Sequence, residues 1–147
     1  MASDSLGWEI AETAHAVRRA FQRRAARLGV TGAQWKVLLH LERQPGLRQV
    51  ELAERLDVEP ITLCRIIDRL EESGLVERKR DPADRRAWRL ALTADAEPLL
   101  GKLHGFATEV GAEAFDGLDP SQIETLSALL ERVRLNLSQF PSAKASA

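Results

Sequence analysis

A chain of 147 residues has the length of one ordinary domain, and 44% hydrophobic with 29% charged residues is typical of a folded globular protein. No apolar run reaches the roughly 18 residues of a membrane helix, and the polar, acidic start does not resemble a secretory signal. A single cysteine excludes an intrachain disulfide, and together these features predict a cytoplasmic protein. The net charge of −1 hides an excess of basic residues early in the chain and of acidic residues late in it.

The first half of the chain predicts helices, because apolar residues recur at steps of three or four. These helices span 8–28, 33–43, 48–56 and 60–73. Gly29 and Gly74 are suited to end the first and the fourth. Thr31 is an N-cap candidate for the second, and Pro60 suits the first turn of the fourth.

After Gly74 the hydrophobic period changes to two, which predicts a β-hairpin with strands at 75–80 and 88–92. The remainder is helical, and Thr93 is a candidate cap for a long helix that contains Pro98 early on. Asp119-Pro120-Ser121-Gln122 predicts the start of a last helix. Its apolar stripe consists of Ile123, Leu126, Leu130, Val133 and Leu137.

Motifs of enzyme chemistry are missing from the sequence. It has no Gly-rich phosphate loop, no paired Cys/His metal spacing, no HExxH and no GxSxG. The three histidines are far apart in sequence and match no ligand spacing. We therefore expect no enzymatic activity, no cofactor and no metal.

The order short helix, turn, helix, hairpin is the pattern of a winged helix-turn-helix. At roughly 100° per residue, one side of the fourth helix is apolar: Leu63, Ile66, Ile67 and Leu70. The other side, with its flanks, carries Ile61, Thr62, Arg65, Asp68, Arg69 and Glu72. Arg65 suits a guanine edge, Thr62 a base or phosphate, and Ile61 a thymine methyl. The alternative is an ordinary solvated face, since Asp68 and Glu72 disfavour phosphates.

The hairpin is rich in basic residues: Arg78, Lys79, Arg80, Arg85, Arg86 and Arg89. Arginines at its turn, Arg85 and Arg86, suit a narrow and electronegative minor groove. Asp84 beside them is expected to hold an arginine side chain by a charge-assisted hydrogen bond. The alternative is a solvated turn.

A second basic cluster lies in the first helix: Arg18, Arg19, Arg23, Arg24 and Arg27. It would face DNA phosphates, an acidic partner subunit or solvent. The apolar stripes of 8–28 and 123–137 exceed what one small domain covers. They predict a twofold homodimer that presents two reading helices to a palindromic DNA site.

These residues resemble the core of the MarR family and, within it, the SlyA-like branch. The resemblance is carried by the helix IIDRLEESGLVER, the wing DPADRRAWRLALT and the segment AEPLL that opens the long helix. It covers about residues 8–140. It implies a mainly α fold with a small β-hairpin wing, in which 1–30 and 94–147 form dimerisation helices. Residues 31–93 would form the DNA-reading lobe within one continuous domain.

The resemblance also implies roles for particular residues. The helix at 60–73 would enter the major groove, with Arg65 as a base or backbone contact. Asp84 matches the wing acid, and Arg86 matches the minor-groove arginine. With their neighbours, the predicted DNA-binding residues are Pro60, Ile61, Thr62, Arg65, Arg69, Asp84, Arg85 and Arg86.

Family members commonly bind small aromatic carboxylates or phenolics and then lose affinity for DNA, so we expect such an effector here. The ligand-binding residues are not predicted. Peroxide-sensing members use a cysteine in the first helix, where this chain has none. Cys64, in the fourth helix, is interpreted as a packing residue, with a redox switch as the alternative.

Three functions remain compatible with the sequence. The first is a ligand-responsive repressor or activator of transcription. The second is a ligand-independent architectural or anti-silencing DNA-binding factor. The third is a winged helix used as a protein-interaction module, or a small enzyme. Salt-dependent DNA binding separates the first two from the third.

Overall fold

The computed structural model describes residues 2–138, with side chains from Asp4 onward. Six helices lie within that part of the chain: α1 (Ala2–Ala26), α2 (Gly32–Arg43), α3 (Gln49–Leu56), α4 (Pro60–Glu72), α5 (Glu97–Ala114) and α6 (Pro120–Ser138). Strands β1 (Val76–Arg80) and β2 (Trp88–Leu92) form an antiparallel hairpin. This mostly helical chain with one hairpin confirms the predicted fold class. Its contacts divide it into two units, one ending at Val110 and the other beginning at Gly111.

Two helix starts follow the predicted side-chain chemistry. Thr31 Oγ1 accepts the backbone N–H of Gln34 at 3.2 Å, and the Gln34 side chain accepts the N–H of Thr31 at 3.1 Å. Asp119 and Gln122 make the same reciprocal pair at the start of α6, at 2.9 and 3.0 Å. Each pair satisfies two backbone donors that the first turn of a helix leaves free. The predicted N-caps of α2 and α6 are confirmed.

The start of α5 differs from the prediction. Thr93 does not cap a helix with its side chain, because its hydroxyl donates to the carbonyl of Gly74 at the base of the hairpin. A 3₁₀ turn over Ala94–Ala96 follows, and only then does α5 begin. Pro98 therefore lies in the first turn of α5, where its missing N–H costs no helical hydrogen bond.

The core of the first unit is built from all the elements of that unit. Its fully buried large side chains are Val37, Leu38, Leu41, Leu52, Leu63, Ile67, Leu70, Val76, Leu90 and Leu103. From α1, Phe21 and Ala25 join this core, and Phe21 packs edge-on against Trp35 with ring centroids 4.6 Å apart. The predicted stripe of α1 is thus buried only towards its C-terminal end. Further towards the N-terminus its apolar residues are exposed: Leu6, Trp8, Ile10 and Val17.

Helix α6 of the second unit exposes its apolar stripe. It contains no buried residue, and its exposed large apolar side chains are Ile123, Leu126, Leu129, Val133, Leu135 and Leu137. None of the described helices is long and apolar enough to cross a membrane.

The register of the hairpin decides where its basic side chains point. Val76 pairs with Leu92, Arg78 with Leu90, and Arg80 with Trp88. Side chains alternate between the two faces of a strand. Because Val76 and Leu90 are buried, Arg78 also lies on the inward face, although it is charged.

Candidate nucleic-acid interface

Helix α4 has the two faces that its sequence predicts. Leu63, Ile67 and Leu70 are buried in the core. The opposite face and its flanks are exposed: Pro60, Ile61, Thr62, Arg65, Asp68, Arg69 and Glu72. Ile61 leaves 66% of its surface open to solvent. Within the described chain, the guanidinium groups of Arg65 and Arg69 have no hydrogen-bond or ion-pair partner.

Arg78 joins α4 to the wing. Its guanidinium lies 2.7 Å from Asp68 and 3.1 Å from Glu71, and it donates to the carbonyl of Cys64 at 3.2 Å. A further hydrogen bond of 3.1 Å reaches Gln49 of α3. Burial opposes the charge, but the Asp68 and Glu71 carboxylates raise the pKa of Arg78 above its usual value. The arginine therefore stays charged and neutralises acids that would otherwise repel a phosphate near α4.

Asp81 joins the wing to the start of α3. It is only 2% exposed, and among the side chains the structure describes it is the one buried charge. One carboxylate oxygen accepts a hydrogen bond from Arg48 Nε at 2.8 Å and forms an ion pair with Arg89, whose Nε lies 3.1 Å away. The other oxygen accepts the N–H of Ala83 at 2.8 Å. Arg48 immediately precedes α3, whereas Arg89 belongs to β2. A buried carboxylate with two hydrogen bonds and two arginines beside it is electrostatically satisfied.

The tip of the wing presents its arginines outward. Asp84 accepts the backbone N–H of Arg86 at 3.0 Å, which orders the turn. Arg80 lies over the ring of Trp88, 4.4 Å from its centroid, and donates to the carbonyl of Arg85. The guanidinium groups of Arg85 and Arg86 are exposed, and neither has a hydrogen-bond or ion-pair partner among the described residues.

An open cleft of about 320 Å³ separates the wing from the helix starts. Its lining brings together Arg48, Gln49, Val50, Pro60, Asp84, Arg86, Ala87 and Trp88. The first turn of α4 and the tip of the wing therefore border one concave surface. A rod-like polyanion can contact both at once from such a surface.

Comparison with known proteins agrees with this geometry. A model described as the MarR family matches residues 28–87. The solved structure of the transcriptional regulator PA3341 is 37% identical, with a TM-score of 0.81, and the match covers 92% of this chain and 99% of that one. The chain belongs to the MarR family. MarR-family proteins are DNA-binding regulators and not enzymes.

Two further solved structures are similar to this chain. A mutant MarR from E. coli, solved in complex with operator DNA, is 29% identical with a TM-score of 0.75, covering 88% of this chain and 93% of that one. BpsR from Bordetella bronchiseptica, whose DNA binding is regulated by 6-hydroxynicotinic acid, is 26% identical with a TM-score of 0.75. That match covers 88% of this chain and 98% of BpsR.

The structure places the predicted site residues of this MarR-family chain in two groups. Pro60, Asp84 and Arg86 border the cleft, and Arg85 lies beside it on the wing. The remaining predicted residues lie along the exposed side of α4: Ile61, Thr62, Arg65 and Arg69. One expectation was wrong, since Asp84 bonds the backbone of Arg86 and no arginine side chain. Among the described acids of the hairpin, Asp81 is the one that pairs with arginine side chains, because it is buried between Arg48 and Arg89.

Sequence reasoning missed Arg78, Asp81 and Arg48 as organising residues of the MarR-family lobe. A signal for Arg78 was available, because strand alternation puts it on the same face as Val76. No comparable signal identified Arg48, whose partner lies 33 positions further along the chain. Six basic residues were counted on the hairpin, and four of them have partners within the described lobe: Arg78, Lys79, Arg80 and Arg89. The free basic charge of the hairpin is therefore concentrated at its tip.

Cys64 gives a first prediction. Its sulfur lies half-buried, 3.7 Å from Arg78, and the chain has no second thiol to form a disulfide with it. We expect mild peroxide to leave DNA affinity unchanged in the wild type and in Cys64→Ser alike, as measured by fluorescence anisotropy before and after treatment. A loss of affinity in the wild type that disappears in the variant would make Cys64 a sensor.

Asp81 gives a prediction on pH. The N–H of Ala83 lowers the pKa of Asp81 most, burial opposes this, and Arg48 and Arg89 lower the pKa further below its ordinary value of 3.8. The folded state thus favours the ionised form more than the unfolded chain does. The resulting stability is present above pH 3.8 and is lost as the pH falls through the folded-state pKa.

We therefore expect Asp81→Asn to lower the free energy of unfolding by a constant amount at neutral and mildly acidic pH. The difference from the wild type should shrink below pH 3.8. Denaturant titrations over a pH series measure it. A difference that persists undiminished in strong acid would contradict the pKa assignment.

Proposed function

We propose that this MarR-family protein is a homodimeric transcriptional repressor that reads a palindromic operator with α4 and the wing. A small aromatic carboxylate or phenolic ligand would release it from DNA. Residues 1–30 and 94–147 would supply the dimerisation helices, and residues 31–93 the DNA-reading lobe. The wing motif DPADRRAWRLALT supports a place in the SlyA-like branch.

One contrast among the arginines carries the proposal. Arg78, Arg80 and Arg89 all have partners inside the lobe. Among the arginines of α4 and the hairpin, those whose guanidinium groups have no partner within the described residues lie on the outward side of α4 and at the wing tip: Arg65, Arg69, Arg85 and Arg86. Free arginines concentrated on a reading helix and a ribbon tip favour an anionic partner that contacts both, and duplex DNA is one.

Proposed roles follow from the chemistry of each exposed position. On α4, Arg65 suits a bidentate pair with guanine, while Ile61 at the N-terminal end suits a thymine methyl. Thr62 and Arg69, on the flank of that face, suit phosphates. Pro60, in the first turn of α4, would contact the DNA backbone. On the wing, Arg85 and Arg86 would approach the minor groove, with Asp84 ordering the turn from which they project.

Exposed apolar surface supports the dimer. Trp8 of α1 is 70% exposed and Leu137 of α6 is 68% exposed, and each belongs to a row of such side chains. Large exposed apolar rows are uncommon on monomeric soluble proteins. A second copy of the chain would cover both rows by a twofold contact, and two reading helices would then match a palindrome.

The ligand class rests on the relative BpsR, which responds to 6-hydroxynicotinic acid, a hydroxylated aromatic acid. Selection of bound sequences from a random DNA library, followed by footprinting, tests the DNA part of the proposal. We expect two inverted half-sites whose centres are about 10–10.5 base pairs apart. Salt-insensitive binding, or no binding, would refute it.

A panel of aromatic carboxylates and phenolics, added to the preformed complex, tests the ligand part. Release by one of them, with benzoate-sized aliphatic acids as controls, is the expected result. If no compound releases the protein and the selection yields many weakly related sequences, the protein is instead a ligand-independent architectural factor.

A further inference from the structure

We propose that Asp81 is a positioning residue that fixes the wing against the start of α3 and so determines whether Arg86 reaches DNA. The proposal rests on the proposed function, because it requires the wing to contact DNA. Asp81 is buried and does not touch DNA itself, so its effect on DNA affinity would act through the position of Arg86.

The attachment of the wing carries this inference. In the middle of β2, the N–H of Leu90 donates to the carbonyl of Leu47 at 2.9 Å, and the N–H of Gly46 donates to the carbonyl of Leu90 at 3.2 Å. Towards the tip of the hairpin, these hydrogen bonds to the rest of the lobe end. In the described chain, no hydrogen bond or ion pair of residues 82–88 reaches outside the hairpin. Arg89 Nη1 also donates to the carbonyl of Gly46 at 2.9 Å. The N–H of Asp81 donates to the carbonyl of Ala87, beyond the last strand pair of Arg80 and Trp88. Within the described hairpin, the contact between Asp81 and Arg48 is therefore the attachment furthest along the ladder towards the tip.

Two hydrogen bonds and a second arginine around Asp81 make its charge and its acceptor capacity essential. Arg48 Nε donates to one oxygen, Arg89 forms an ion pair with that same oxygen, and the N–H of Ala83 donates to the other. A carboxylate accepts at both oxygens, whereas an asparagine offers one oxygen and an NH₂ group. In Asp81→Asn, the new NH₂ group therefore faces either the N–H of Ala83 or the Nε–H of Arg48, so that two donors oppose each other. The substitution is nearly isosteric, so the core is not emptied.

The sign of the effect separates positioning from general electrostatics. Removing a negative charge from a DNA-binding protein strengthens its attraction to DNA. A loss of affinity in Asp81→Asn must therefore come from misplacement of the wing. Asp95→Asn is the matched control, because Asp95 is exposed on the 3₁₀ turn and the change in net charge is the same.

The experiment is a double-mutant cycle on operator binding with Asp81→Asn and Arg86→Ala. We expect Asp81→Asn to weaken binding about tenfold, equivalent to 1.4 kcal/mol, and Asp95→Asn not to weaken it. The double variant should bind no more weakly than Arg86→Ala alone, because a misplaced wing has already lost that contact. The salt dependence of Asp81→Asn should move towards that of Arg86→Ala, while the ranking of single-base operator variants stays the same.

Additive losses in the cycle, or wild-type affinity in Asp81→Asn, would overturn the positioning role. If Asp81→Asn does not fold, Arg48→Gln removes the same attachment from a half-exposed side chain and enters the same cycle. Additivity with Arg86→Ala would overturn the proposal there too. Failure of the wild type itself to bind DNA would instead overturn the proposed function.

Discussion

Replacing Arg86 with alanine should weaken binding to every DNA sequence and flatten its salt dependence. Arg86 projects from the wing tip with no partner in the described chain, and its backbone is held by Asp84. A narrow minor groove offers negative potential rather than a base code, so the contact is mainly electrostatic. Each lost phosphate contact removes about 0.9 from the salt slope, and a dimer loses two. Affinity measured over a range of salt concentrations tests this.

Arg65→Ala is the companion variant with a different signature. Arg65 lies on the outward face of α4, where a bidentate pair with guanine discriminates by about 1–3 kcal/mol. We expect the variant to lose its preference at one base pair in each half-site and to keep it elsewhere. Arg43→Ala, at an exposed arginine that ends α2, is the control for loss of positive charge.

A panel of single-base operator variants separates these outcomes. Unchanged affinity in Arg86→Ala would remove the wing from the interface. An equal loss on all sequences in Arg65→Ala would make Arg65 a phosphate contact rather than a base contact.

Removing residues 119–147 should unfold or aggregate the protein. The deletion removes α6, whose row of exposed apolar side chains is part of the proposed dimer contact. Burying one large aliphatic side chain contributes about 1.5–3 kcal/mol to the free energy of unfolding. The sum over several such side chains in a dimer contact exceeds the whole free energy of unfolding of many small domains. Light scattering and circular dichroism measure this outcome.

A point variant makes the same prediction without a deletion. Leu126→Glu places a charge in the proposed contact and should shift the dimer towards monomer at micromolar concentration in sedimentation equilibrium. Glu124→Gln on the same helix should leave the dimer intact. A wild-type chain that sediments as a soluble, folded monomer would refute the dimer.

Much of the fold was predictable because its signals are local. The period of the apolar residues located α2 and α4, and the reciprocal pairs of Thr31 with Gln34 and Asp119 with Gln122 marked helix starts. The switch to a period of two located the hairpin. The start of α5 was wrong because Thr93 is still bound to the hairpin through Gly74, a contact that no local pattern reports.

The exposed residues of the site were predictable, but the buried and half-buried residues that hold them in place were not. Residues on one face of a helix follow from angular steps, so the outward position of Arg65 was foreseeable. The roles of the acids were not, since sequence proximity suggested Asp84 as the partner of an arginine side chain. Tertiary packing instead assigns that role to Asp81, which meets Arg48 across 33 positions.

The bonds of Arg78 limit how this protein can acquire a new operator. Asp68 faces outward on α4, yet its carboxylate forms an ion pair with Arg78, and Glu71 forms another. Attempts to retarget the protein by randomising the whole outward face would often recover variants with altered stability instead of altered base preference. A productive library would vary Ile61, Thr62, Arg65 and Arg69 and would leave the two acids unchanged.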